Sequence, residues 1–300
     1  MASKDLLVFY ALELEIMREF SQLPPGSFTA RDVMIDDVEH LHCMEIDIDP
    51  QQPKPRLLLI HGYGGNNVFF FRMYRHLAPR FHILSLDLPG MGFNYRAEGY
   101  PAFTSLPECL DFFTARINRF AEAVGWERFA LAGHSMGAYF AAHFFDRHTY
   151  KVDKLFLLSP AAFNLAPDSS RQHVTDRISR LPFWQREVVR RVAHKMLDER
   201  KTPFELLRPG LRDFAIRVFM HSRRMSFSRR EARKLTELNR YLLGLPQYGE
   251  RCICYVIDFG LRSRAPIVEV LLRHTDRLAD VAVFYGQHDT MDFETSLRSA

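Results

Sequence analysis

The order of apolar and polar residues divides the chain into three regimes. Residues 5–20 (DLLVFYALELEIMREF) read as a helix that is apolar on much of its circumference, and Pro24-Pro25-Gly26 ends it. Packing on the body and resting on a lipid surface both fit such a face. Residues 31–48 give two short half-buried strands with Asp36-Asp37 as the turn. From residue 56 to 160, strand and helix patterns alternate. Residues 56–60, 81–86, 129–132 and 154–158 are mostly apolar runs, as expected of strands covered on both faces. Residues 66–79 and 105–124 read as helices. In the second, Ser105 and Glu108 form a capping-box pattern, Leu110, Phe113, Ile117, Phe120 and Val124 recur at helical spacing, and Gly125 stops it. Such alternation predicts an α/β fold with a parallel, doubly wound sheet and right-handed crossovers.

The rhythm breaks over residues 160–278, which are mostly helical, basic and aromatic, with turns marked by Pro182, Pro203, Pro209 and Pro246. A strand resumes at 281–285. An insertion on the carboxyl side of such a sheet lies where ligands bind, so it predicts a lid. The expected organisation is an N-terminal helix over 1–28 and a core over 29–160. A basic helical lid follows over 161–278, then a core strand with an acid loop over 279–300.

Composition narrows the class. An apolar fraction of 47% supports a packed core in 300 residues. No run reaches the roughly 18 uncharged apolar residues of a membrane helix. Glu13, Glu15 and Glu19 argue against a mitochondrial presequence, and no basic n-region precedes a cleavage site. Cys43, Cys109, Cys252 and Cys254 are too few and scattered for a disulfide framework, which points to a reducing, cytoplasmic setting. Cys252-x-Cys254 has no second pair and reads as two ordinary strand or loop thiols; no metal is expected. The net charge of +4 hides an asymmetry, with 18 Lys and Arg against seven Asp and Glu between Arg171 and Lys234. An anionic partner and an arginine-rich solvated surface both fit. No nucleic-acid module accompanies the charge, so nucleic acid is not an expected partner.

The chemistry centres on Gly133-His134-Ser135-Met136-Gly137, set between an apolar strand and an alanine- and aromatic-rich helix. G-x-S-x-G in that context is a nucleophile elbow. Ser135 sits on a sharp turn, and the Met136 N–H points where an oxyanion forms. The strand at 56–60 ends in His61-Gly62-Tyr63-Gly64-Gly65, which offers the N–H of Tyr63 or Gly64 as a second oxyanion donor. A phosphate loop is the rival reading, but Gly62-x-Gly64 lacks a third glycine and no G-x-x-x-x-G-K-[ST] is present. His61 reads as a ring bracing the turn. An orienting carboxylate is expected after a late strand, and Gly286-Gln-His-Asp289-Thr-Met-Asp292 offers Asp289 first and Asp292 one turn further. The general base is missing, since no histidine follows His288. A missing last strand would also leave a sheet edge uncovered. Two expectations stand: a C-terminally truncated version of a longer enzyme, or a complete and catalytically dead chain. This chemistry needs no cofactor.

HGYGG at 61–65, DLPGMG at 87–92, GHSMGA at 133–138 and LFLLSPAAF at 155–163 resemble an α/β-hydrolase. RYLLGLPQYGE at 240–250 and YGQHDTMD at 285–292 narrow the resemblance to abhydrolase-domain proteins four and five and their plant and fungal phospholipase relatives. It covers roughly residues 15–295. The resemblance implies hydrolysis of acyl esters of phospholipids, lysophospholipids or N-acyl phospholipids, with peripheral contact at membranes or lipid droplets. It also implies Ser135 as nucleophile. One family member lacks the nucleophile and activates a lipase instead, so a lipid-surface adaptor is the alternative. The family's last strand, with its histidine and H-x-x-x-x-D element, has no counterpart here. His42 to Asp47 and His148 to Asp153 fit that spacing in the wrong part of the fold. An acyltransferase role finds no motif.

Overall fold

A computed structural model describes residues 2–96, 103–163, 183–206, 209–222, 227–257, 263–287 and 289. Its strands are β1 (Phe28–Met34), β2 (His40–Ile46), β3 (Arg56–Ile60), β4 (His82–Leu86), β5 (Phe129–His134), β6 (Val152–Leu158) and β7 (Val281–Phe284). They form one sheet in the order β1-β2-β4-β3-β5-β6-β7. The five strands from β3 onward pair in parallel, while β1 and β2 join antiparallel. The β1–β2 turn is set by Asp36, whose Oδ1 accepts the N–H groups of Val38 (2.9 Å) and Glu39 (2.7 Å).

The helices include α1 (Ala2–Phe20), α2 (Phe71–Leu77), α3 (Leu106–Ala123), α4 (Met136–Arg147), α5 (Phe183–Leu197), α6 (Pro209–Ser222) and α7 (Arg229–Leu242). Alternate side chains of each strand feed two cores. Leu58 and Ile60 pack with α3 and α4, whereas Leu57 and Leu59 pack with α1, α2 and α7. Helices α5, α6 and α7 stand in the chain between β6 and β7. Among the described residues no helix is long and apolar enough to cross a membrane.

Several local expectations change. The helix expected at 66–79 is a 3₁₀ turn over Asn67–Phe70 followed by α2, with Asn66 Oδ1 accepting the Val68 N–H (3.0 Å). At α3, Ser105 Oγ accepts the Glu108 N–H (3.4 Å), but the Glu108 carboxylate takes the N–H (2.9 Å) and hydroxyl (2.6 Å) of Thr104. The reciprocal half of the capping box is thus displaced by one residue. Strand β2 is buried on both faces because α1 covers one of them. Cys252 and Cys254 lie in helical turns, Gly249–Cys252 and Ile253–Val256, and both are buried in the core.

Helix α1 packs through Leu12, Ile16 and Met17. Its acidic side answers part of the basic segment. Lys234 of α7 donates to Glu15 (2.6 Å) and pairs with Glu19, which Arg230 also meets. Phe9 stacks on Tyr241 with centroids 3.8 Å apart. Beneath this contact, Glu13 is fully buried against His42, itself buried. His42 bonds Glu13 through Nε2 (3.0 Å) and Asp32 through Nδ1 (2.7 Å), so both nitrogens face carboxylates. Burial works to lower the His42 pKa, but Glu13 and Asp32 outweigh it and raise it to about 10.

His42 is therefore an imidazolium that clamps α1 to the sheet. Its folded pKa lies above the ordinary 6.5, so its contribution is complete below about pH 6.5 and is lost as pH rises through about 10. Replacement by Gln removes the cation that pairs with buried Glu13 and is expected to cost about 3–5 kcal/mol in urea unfolding. The variant should also lose the alkaline fall in stability that the parent shows. An unchanged alkaline limb in His42→Gln contradicts this assignment.

Candidate active site

β5 delivers the chain into Ser135 with φ 54° and ψ −117°, a left-handed backbone that is costly for a residue with a Cβ. Neighbouring backbone holds it there. The Ser135 N–H donates to Leu158 O (2.9 Å), and its carbonyl accepts the N–H groups of Tyr139 (3.2 Å) and Ala161 (3.1 Å). Helix α4 starts at the next residue, hard against the end of β3. A Cβ on Gly137 would lie 2.3 Å from His61 O and 2.6 Å from Ile60 O; on Gly133 it would lie 2.5 Å from Gly137 O. Only glycine permits that approach.

The loop after β3 lies directly beside the serine, since a Cβ on Gly62 would fall 2.9 Å from Ser135 Cβ. His61 organises this loop. Its Nε2 accepts the Leu88 N–H (2.9 Å), which leaves the proton on Nδ1 to donate to Gly62 O (2.7 Å). Burial lowers its pKa against the opposing pull of Asp87, in keeping with this neutral tautomer. With both nitrogens occupied, His61 braces the turn. Among the described residues, the N–H groups of Met136, Tyr63 and Gly64 reach no acceptor.

Sequence reasoning passed over Asp87, Asn67 and Asn94. Asp87 is fully buried and accepts the Asn67 N–H (2.7 Å), the Asn67 side-chain amide (3.1 Å) and the Phe93 N–H (2.9 Å). Asn94 donates to the carbonyls of Asp87 (2.8 Å) and Leu88 (2.6 Å). Together they fix the loop that holds His61. The available signal was an acid placed one residue beyond an apolar strand and before Pro89-Gly90.

Register brings the carboxyl ends of three strands together: His134 pairs with Leu158, Leu158 with Phe284, and the Ser159 N–H donates to Phe284 O (2.7 Å). Asp289 follows β7 by five residues and is half-buried, its N–H bonded to Gly286 O (3.0 Å). Asp292 and His288 lie outside the described residues. Among the described residues no histidine hydrogen-bonds to the Ser135 hydroxyl. The His134 ring meets Phe70 edge-on, and His143, its pKa lowered to about 4 by burial, turns Nε2 to Ala265 O (3.3 Å). His42 serves the α1 clamp while Asp47 pairs with Lys54, and Asp153 pairs with Arg128, so neither H-x-x-x-x-D match reaches the elbow. No three His, Cys, Asp or Glu side chains gather as metal ligands among the described residues.

The alpha/beta hydrolase fold family model matches residues 55–299. The chain belongs to the α/β-hydrolase family. Its relatives include the 1-acylglycerol-3-phosphate O-acyltransferase of Arabidopsis thaliana, 28% identical over 92% of this chain and 65% of that protein. They also include the (lyso)-N-acylphosphatidylethanolamine lipase of Mus musculus, 28% identical over 47% of this chain and 40% of that protein. The chain thus spans less than two thirds of these relatives' length. Among solved structures, 2-hydroxy-6-oxo-6-phenylhexa-2,4-dienoate hydrolase from Rhodococcus sp. strain RHA1 superposes with a TM-score of 0.58. That match covers 91% of this chain and 86% of the other at 18% identity, a likeness of fold.

The strained backbone of this α/β-hydrolase predicts a signature. Ser135→Gly relieves the left-handed conformation and should raise stability by about 1–2 kcal/mol. Gly137→Ala should lower it by several times that, because no side chain can yield to a backbone clash. Thermal unfolding of both variants checks the pair, and a destabilised Ser135→Gly would show the elbow to be unstrained.

Proposed function

We propose that the chain is a serine ester hydrolase of the lipase type, acting on acyl esters of phospholipid-like molecules. The carrying observation is Ser135 on a strained elbow beside three N–H groups that reach no acceptor among the described residues. In this reading Ser135 Oγ attacks the acyl carbonyl, and the Met136 N–H with that of Tyr63 or Gly64 receives the oxyanion. Asp289, or Asp292 as second choice, orients a histidine as general base. Residues 161–278 act as the lid, and their basic, apolar composition suits a peripheral lipid surface. The names of the Arabidopsis and mouse relatives support lipid acyl chemistry as the substrate class.

A second reading is a non-catalytic lipid-surface adaptor that uses the same cleft. It is favoured by the lack of a hydrogen-bonded histidine at Ser135 among the described residues.

Fluorophosphonate labelling of the parent and of Ser135→Ala, with hydrolysis of a short-chain ester and a lysophospholipid, separates the two. The hydrolase reading expects labelling and turnover that vanish together in Ser135→Ala. A folded parent that neither labels nor turns over leaves the adaptor.

A further inference from the structure

Two buried carboxylates that the acyl chemistry does not use are bridged by one amide. Glu13 belongs to α1 and Asp87 follows β4; both are fully buried. Asn67, also fully buried, opens the 3₁₀ turn between them. Its Nδ2 donates to Glu13 Oε1 (2.9 Å) and to Asp87 Oδ1 (3.1 Å). The path extends at both ends. Glu13 Oε1 lies 3.1 Å from His42 Nε2, and Asp87 Oδ1 lies 3.8 Å from His61 Nε2. These polar groups run in single file from the α1 clamp to the ring that braces the turn beside Ser135.

The surroundings fix which way the amide faces. Asn67 Oδ1 is buried and has no hydrogen-bond partner among the described residues. Turning the amide over would set that oxygen against two carboxylates, so the NH₂ group must face them. The Asn67 main chain is anchored as well: its N–H donates to Asp87 Oδ1 (2.7 Å), and its carbonyl accepts the Tyr74 hydroxyl. Among the described residues Glu13 takes hydrogen bonds from His42 and Asn67 alone. A buried carboxylate is costly to leave without its donors. Any shift of Glu13 with α1 therefore pulls on the Asn67 amide, and Asn67 is tied to the same Asp87 oxygen that lies beside His61.

We infer that Asn67 is a positioning residue: through Glu13 and Asp87 it couples the seating of α1 on the sheet to the placing of the His61 loop, and with it the Tyr63 and Gly64 N–H groups. The catalytic consequence rests on the hydrolase reading; the coupling of α1 to the loop does not. Glu13 is the far end of the device and acts on the site only through Asn67.

The test combines nitrogen-15 NMR of the histidine rings with Ser135 reactivity, both on the full chain. Glu13→Met and Asn67→Leu cut the link from either end while keeping side-chain volume, and Glu13→Gln keeps an acceptor for the amide. In the parent, the two His61 ring nitrogens should differ widely in shift, as for one fixed Nδ1–H tautomer. Glu13→Met and Asn67→Leu should each draw them together, the double variant should add nothing, and Glu13→Gln should restore the parent's pattern. Fluorophosphonate labelling and kcat for a short-chain ester should fall about tenfold in the two cutting variants with KM unchanged, as for a displaced oxyanion donor. A role confined to the α1 clamp would move His42 and leave His61 and kcat as in the parent. That result in folded Glu13→Met overturns the proposal, as do additive effects in the double variant. Should Glu13→Met not fold, Asn67→Leu decides: shifts at both His42 and His61 uphold the link, and a shift at His61 alone overturns it. A parent that neither labels nor turns over counts against the hydrolase reading, and the His61 nitrogens then still decide the coupling.

Discussion

A methyl group at position 137 would lie 2.3 Å from the carbonyl oxygen of His61, and that spacing governs the whole carboxyl edge of the sheet. Because α4 begins there, Ser135 must turn through a left-handed conformation between strand and helix. Because the end of β3 lies so close, its glycine-rich loop lies beside the serine, and His61 is locked between that loop and the one after β4. The strain at one residue is sustained by hydrogen bonds from three neighbouring segments, none of which would be placed as it is without the glycine.

Much of this was legible because it rests on local rules. Strand β3 reads as a strand from five consecutive residues, and the G-x-S-x-G turn announces its glycines by type. Pairing strands in order then puts the ends of β5, β6 and β7 together. Boundaries were less legible where side chains choose between partners of equal chemistry. Glu108 has both Ser105 and Thr104 within reach, and only the path of the preceding chain decides for Thr104. The reading of β2 as half-buried failed for a longer-range reason: the helix that covers its second face lies some thirty residues earlier.

The polar interior was the least legible part. Glu13 looks like one of several acids on an amphipathic helix, and His42 like an alternating strand residue. Their meeting, with Asp32 on the far nitrogen, joins α1, β1 and β2 by charge rather than by apolar pattern, which no periodicity reveals. The basic tract is visible as composition, but its division matters more. Lys234 and Arg230 are spent on the acids of α1, while Arg200 and Arg264 are not paired with acids among the described residues.

The four cysteines carry a different consequence. All are free and buried, and burial pushes the Cys254 thiol up to about 11, so each is held as an unreactive thiol. An alkylating reagent in solution can meet them only when the surrounding structure parts. Cys252 and Cys254 sit in turns within the inserted stretch between β6 and β7, whereas Cys43 lies in β2, the second strand of the sheet. The chain thus carries its own clocks for two kinds of opening, one timed to the insertion and one to the sheet.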